Sequence, residues 1–281
     1  MSRHVAIVTD STAYLPPQTM ERHSITAVPL TVVIGDQALE EGTEISARSL
    51  AQALQKRRSV TTSRPSPDVF AETYRVAAEA GARGVVSLHL SAELSGTHDA
   101  AVLAAKDAPI PVRVVDTRMV GMALGFCALA AAEAVDAGGS LDEAVAAAEK
   151  RAAGTSAFFY VDTLDYLRRG GRIGAAQALL GSALAVKPLL QLDGGRIELR
   201  EKVRTASKAI ARLEEIAVER AGSGAVDIAV HHLSAPERAA ALAARLRERV
   251  PGIAELQVSE VGAVIGAHTG PGLLAVVVSP R

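Results

Sequence analysis

Along the first half of the chain, short apolar β-rich runs alternate with amphipathic stretches. Val5 to Val8, Ile25 to Ile34, Val85 to Leu88 and Val112 to Val115 are bounded by turn residues and read as strands. Between them, Ala47 to Lys56, Pro67 to Ala80 and Thr97 to Lys106 carry helical patterns, with Pro67 and Asp68 suited to an opening turn. Uninterrupted apolar strands separated by helices predict a parallel sheet covered on both faces, the signature of a doubly wound α/β domain.

Two consecutive helical stretches then break the alternation, Met119 to Ala137 and Leu141 to Ala152, joined by Gly138-Gly139. Ser140 and Glu143 have capping-box spacing for the second. Here the chain is expected to change domain, giving an N-terminal α/β domain over 1–153 and a C-terminal one over 154–281. In the second, Ala157 to Val161 reads as a strand, Gly174 to Ala185 as a helix, and Leu189 to Leu192 with Arg196 to Leu199 as a hairpin across Asp193-Gly194-Gly195. Helices Ala206 to Arg220 and Pro236 to Val250, with strands Val226 to Val230, Glu255 to Val258 and Leu273 to Val278, complete a mixed α/β sandwich.

A chain of 281 residues, 49% hydrophobic, is long enough for two buried cores. Its net charge of −1, with no block of five or more like charges, argues against nucleic acid and against a polybasic membrane anchor. The apolar run at the amino terminus reaches Asp10 too soon for a signal peptide, and Met119 to Ala132 is too short to cross a bilayer, so the expected location is the cytoplasm with no stable membrane insertion. The single cysteine, Cys127, sits in an apolar segment and reads as a small hydrophobe. Aromatic residues are scarce at 3%, so any pocket must be walled mainly by Ala, Val, Leu and Ile.

Candidate chemistry gathers where strands give way to helices. Thr9-Asp10-Ser11-Thr12 ends the first strand, where open α/β sheets bind ligands, although Asp10 also suits a turn or helix cap. The glycine-rich turn of a dinucleotide site is absent there, and no cofactor is called for. Thr62 and Ser63 lie in TTSRPS, and Ser95 and Gly96 in LSGT. At both places hydroxyls and free backbone N–H groups can converge on a small anion, and a loop or cap role is the competing reading. Arg168-Arg169-Gly170-Gly171-Arg172 sets three guanidiniums around a glycine pair, and Arg204 extends the basic surface. The segment from Gly262 to Gly272 holds His268 and Thr269 among four glycines, which argues against a buried helix and for a ligand-site role for His268. The histidines show no metal-ligand spacing with carboxylates.

Taken in order, TDST at 9–12, TTSRPS at 61–66, LSGT at 94–97, RGGRI at 169–173 and HTGPG at 268–272 resemble the DegV family of bacterial fatty-acid-binding proteins. The resemblance spans nearly the whole chain. It implies a two-domain α/β protein, not itself an enzyme, that holds one long-chain fatty acid such as palmitate between its domains, the carboxyl group near Thr62 and Ser95. It also implies that His268 lies near that carboxyl group and that the acid is presented to a separate fatty acid kinase, with Arg172 and Arg204 facing the kinase or the incoming phosphoryl group. A departure is His98, where relatives often carry an aromatic residue.

The residues agree with that picture on physical grounds. An alkyl tail contributes roughly 0.8 kcal/mol per buried methylene, and hydroxyls with backbone N–H groups satisfy a buried carboxylate without a countercharge. A rival reading is a serine hydrolase with Ser95 as nucleophile, His268 as base and Asp10 as orienter, but LSGT lacks the G-x-S-x-G elbow. A third reading, a sugar-phosphate or nucleotide binder, would use the arginines.

Overall fold

The computed structural model describes residues 4–179 and 187–281. In chain order the elements are β1 (Val5–Asp10), α1 (Pro17–Arg22), β2 (Ile25–Val28), β3 (Thr31–Ile34), β4 (Gln37–Glu40), α2 (Ala47–Gln55), β5 (Val60–Ser63), α3 (Pro67–Glu79), β6 (Gly84–His89), α4 (Thr97–Ala105), β7 (Val112–Asp116), α5 (Met122–Asp136) and α6 (Leu141–Gly154). They continue with β8 (Ser156–Tyr160), α7 (Asp165–Arg169), β9 (Lys187–Asp193), β10 (Arg196–Val203), α8 (Ala206–Ala221), β11 (Val226–His232), α9 (Pro236–Arg249), β12 (Ile253–Glu260), α10 (Ala263–Thr269) and β13 (Leu274–Pro280). Single 3-10 turns cover Ser11–Ala13 and Gly174–Leu179. The rest of the helix expected to Ala185 lies outside the described residues.

Two units emerge, Met1–Thr31 with Ser63–Ala153 and Val32–Thr62 with Gly154–Arg281. Residues 32–62, which a linear division at 153 assigns to the first domain, therefore group with the second unit. The run Ile25 to Ile34 is two strands, not one, because Pro29 has no N–H for a ladder and the chain leaves the first sheet there. Just after it, the Leu30 N–H donates to Ser11 Oγ at 3.0 Å.

The first unit is built on a parallel sheet in the order β2-β1-β6-β7. Ile7 and Val8 point to opposite faces, as do Val85 and Val86, and all four are buried, so both faces are covered. On one face Phe70 and Tyr74 of α3 and the small residues Ala100, Ala101 and Ala104 of α4 pack around Val8, Val28 and Val85. Helix α5, which also lies against β1 and β6, is apolar all round from Met122 to Leu129 and buries every residue there, while Glu133 and Asp136 near its end are exposed. Within it Cys127 donates its S–H to the Ala123 carbonyl, and burial pushes its thiol up to about 12, which leaves it inert at neutral pH. The Ser140 capping box forms as expected: Glu143 Oε2 accepts from Ser140 N–H at 2.7 Å and Ser140 Oγ accepts from Glu143 N–H at 3.3 Å.

The second unit carries a mixed sheet in the order β10-β9-β8-β13-β11-β12, antiparallel except for the β11–β12 pair. Helices α8 and α9 cover it, burying Leu213, Ile216 and Leu242 with Leu246 against Ile228, Val230 and Val276. The β9–β10 hairpin turns on Gly194-Gly195, whose φ angles of 55° and 85° are those of the two-residue turn that glycine favours. A further sheet, β4-β3-β5, belongs largely to the same unit.

Helix α10 corrects an expectation. The four glycines from Gly262 to Gly272 argue against a buried helix, yet Ala263–Thr269 is helical and mostly buried. Gly266 is there for close approach: a Cβ at that position would press on Leu50 of α2 and on Leu233, so the glycine lets α10 seat on its neighbours.

Candidate ligand-binding site

Within the second unit, one hydrogen bond joins two of the residues singled out from sequence. Thr62, half-buried on β5, places Oγ1 2.8 Å from Nε2 of His268 in the last turn of α10. That helix is held at its start by Glu41, a buried carboxylate whose Oε1 accepts from the Val264 N–H at 2.8 Å. The position of the imidazole therefore depends on α2, β5 and the segment before α2.

The other edge of the ring is closed. His268 Nδ1 is buried without a hydrogen-bond partner, and the backbone of Gly170 lies against it so closely that a Cβ there would overlap the ring. Burial, and secondarily the positive charge of Arg172, push the His268 pKa down to about 4, so the imidazole is neutral at pH 7. Arg172 braces the same loop, donating from Nη1 to the Gly170 carbonyl at 2.6 Å. Thr269 turns its hydroxyl back to the Ile265 carbonyl at 3.0 Å, and Arg204 is exposed just past β10.

The remaining sequence-selected residues lie in the first unit. Asp10 ends β1 and is fully buried. Its Oδ1 accepts from the Thr12 N–H at 3.1 Å and from the Thr12 hydroxyl at 2.6 Å, while Oδ2 accepts from the Leu90 N–H at 2.9 Å and faces His89 Nδ1 at 3.2 Å. His89 continues to Ser87 at 2.7 Å and Ser87 accepts from the Tyr74 hydroxyl at 2.8 Å, a polar chain sealed from solvent. Ser95 Oγ pairs with Thr97 Oγ1 at 2.9 Å beside the start of α4. Gly96 precedes that helix with no side-chain cap, and Arg64 crosses to donate to its carbonyl at 3.2 Å. Ser63 is exposed and bonds to the Arg64 carbonyl. The TTSRPS and LSGT segments thus meet through Arg64 and Gly96, where a side chain larger than glycine would collide with the guanidinium.

This geometry argues against Asp10 as the orienter of a hydrolase triad, because both of its oxygens are taken within the first unit. Ser95 is engaged by Thr97, the imidazole beside Asp10 is that of His89, and His268 is engaged by Thr62. Sequence reasoning missed Glu41 and the role of Arg64, and it named the segments of Thr97 and Gly170 without their contacts to Ser95 and His268. The glycine pair in RGGRI gave a local signal of close backbone approach and Thr97 stands two residues from its partner Ser95, whereas the partners of Glu41 and Arg64 lie far along the chain. Among the described residues no three His, Cys, Asp or Glu side chains could hold a metal ion, and no helix is long and apolar enough to cross a membrane.

The family model described as "Uncharacterised protein, DegV family" matches residues 4–281. A DegV domain-containing protein of Streptomyces coelicolor is 83% identical over the full length of both chains. Two solved structures superpose closely. A DegV family protein from Thermus thermophilus, described by its fatty acid binding, has TM-score 0.94 and 36% identity, covering 99% of this chain and 100% of that one. DegV from Bacillus subtilis, described as a fatty acid binding protein, has TM-score 0.92 and 36% identity, covering 100% of both chains.

Proposed function

This chain belongs to the DegV family, and on that premise we propose that it is a cytoplasmic carrier that binds one long-chain fatty acid, such as palmitate, and presents it to a separate fatty acid kinase. The observation that carries the head-group assignment is the 2.8 Å bond between Thr62 and a neutral His268. If the Thr62 hydroxyl donates to the carboxylate, its oxygen must accept from His268, which fixes the proton on Nε2 and leaves Nδ1 bare. A bare Nδ1 matches its sealed, unpartnered setting against Gly170, and nearby Arg172 disfavours a second proton.

Uncharged donors serve this purpose for an energetic reason. The tail supplies most of the affinity, at roughly 0.8 kcal/mol per buried methylene, so the head group needs hydrogen bonds rather than an ion pair. Ser95, Ser63, Gly96 and Thr269 are assigned to the same ligand, as hydroxyl or backbone donors. Asp10 supports the first-unit loops by holding the Leu90 N–H and the Thr12 turn. A carboxylate held without a guanidinium clamp keeps more of its charge, and so its nucleophilicity towards a phosphoryl donor, which is the role expected of a kinase's substrate carrier. Arg172 and Arg204 are assigned to the kinase or to the incoming phosphoryl group.

Native mass spectrometry of the purified protein tests the reading. A bound mass in the range of C16 to C18 acids, lost together from Thr62→Val and Ser95→Ala, is expected. A protein that carries no acid and takes none up from solution would overturn it.

A further inference from the structure

We propose that the second unit carries a separate anion site, a cavity lined by Arg57, Arg58 and Arg169 that receives a soluble ligand bearing two or more clustered phosphate groups. The cavity measures about 500 Å³ and is completed by Leu54, Gln55 and Tyr166. That volume admits ligands from pyrophosphate up to a nucleotide. No carboxylate lines it.

Several other arginines of the same unit are neutralised by carboxylates. Arg212 is paired with Glu201, Arg245 and Arg249 with Glu214, and Arg281 with Asp227. Among the described residues, the guanidiniums of Arg57, Arg58 and Arg169 make no ion pair, and Arg169 lies over the face of Tyr166 at 5.6 Å. Three unneutralised cations facing one recess repel one another and favour an anion that spans them. The cavity also lies beside the C-terminal ends of α2 and α7, but a helix end contributes only about half a negative charge, less than the three full positive charges. Guanidinium forks match phosphate oxygens in pairs, which makes a polyphosphate the best-fitting anion.

Backbone geometry supplies a control for the test. Arg57 has φ of 53°, a left-handed conformation that glycine or asparagine adopts with less strain. The site also touches the His268 neighbourhood: Tyr166 is pressed by the backbone of Gly270, and Gly170, next to Arg169, lies against the His268 ring.

Isothermal titration of the full-length protein with sodium pyrophosphate at low salt tests the proposal. Saturable binding is expected, weakening as salt is raised. Arg57→Gln, Arg58→Gln and Arg169→Gln should each lower the affinity about tenfold, while Arg57→Gln and Arg58→Gln retain fatty acid as the wild type does. Arg57→Gly should lose pyrophosphate affinity with its thermal midpoint unchanged or raised, which separates loss of charge from loss of fold. The proposal is overturned if the wild type does not bind pyrophosphate, if the glutamine variants bind it equally, or if citrate binds as tightly. It is also overturned if the variants lose only retention on phosphatidylglycerol vesicles, since the phosphate would then be a lipid headgroup. None of these results bears on fatty-acid binding, which is read separately in the same variants.

Discussion

Thr62 Oγ1 and His268 Nε2 stand 2.8 Å apart although 206 residues separate them in the chain. With the imidazole neutral, the pair is an uncharged one, and in the proposed complex the ring fixes the hydroxyl while the hydroxyl donates to the carboxylate. Thr62→Val keeps the shape and removes the donor. Leaving a carboxylate short of one hydrogen bond costs about 1–3 kcal/mol, so fatty-acid affinity should fall roughly ten- to hundredfold. Thr62→Ser restores the hydroxyl and should recover most of it. Titration with a labelled fatty acid checks both, and equal affinity for valine and serine variants would remove Thr62 from the head-group site.

The same burial that keeps His268 neutral makes stability depend on pH. Desolvation pushes both His268 and His231 from 6.5 down to about 4, aided by Arg172 for the first and by His232 for the second. Between those values the unfolded chain binds more protons than the folded one, so unfolding free energy rises with pH. The contribution is complete above 6.5 and is lost as pH falls towards 4. Each histidine adds a slope of at most about 1.4 kcal/mol per pH unit. Urea midpoints should therefore be level above pH 7 and drop between pH 6.5 and 5, with a shallower drop in His268→Gln. A flat profile across that window would contradict the buried, neutral setting of these rings.

Adjacent glycines in the RGGRI segment should behave differently. At Gly170 a Cβ would overlap the His268 ring, although the backbone conformation suits any residue. At Gly171 there is open space, but φ is 70°. Gly170→Ala is therefore expected to displace the imidazole and reduce fatty-acid affinity about tenfold or more, roughly the loss of a hydrogen bond. Gly171→Ala should cost about 1 kcal/mol of stability through backbone strain and leave affinity intact. Parallel measurement of affinity and thermal midpoint separates the two, and the same profile for both would show that the ring is not held by Gly170.

The strands and helices of the parallel sheet were legible because their signal is local: residues such as Val85 and Val86 are apolar in succession, which only a strand buried on both faces explains. What lay hidden depends on distant partners. The split at Pro29 hinges on which sheet Thr31–Ile34 joins, and the helical state of Ala263–Thr269 rests on Gly266 packing against Leu50 and Leu233. Thr62 and His268 were each recognisable from their motifs, and the family resemblance set both near one carboxyl group, whereas the direct bond between them was not legible, since nothing near either residue encodes the other. Arg57 and Arg58 gave no signal beyond an ordinary basic helix end, because the recess is completed by Tyr166 and Arg169 more than a hundred residues later.

Asp10 offers the sharpest separation between support and ligand contact. Both of its oxygens are occupied within the fold, by Thr12 on one side and by the Leu90 N–H and His89 on the other, and the side chain is fully buried. In Asp10→Asn one of those acceptors becomes an NH2 that faces existing donors, so at least one buried donor is orphaned. That costs about 1–3 kcal/mol per group, visible as a lower urea midpoint with an unchanged slope. Ser95→Ala removes only a half-buried hydroxyl paired with Thr97 and should cost under about 1 kcal/mol while weakening fatty-acid binding. The two variants are thus expected to be mirror images, one losing stability and the other losing cargo. An Asp10→Asn protein that is as stable as wild type but releases its fatty acid would instead place that carboxylate in direct contact with the ligand.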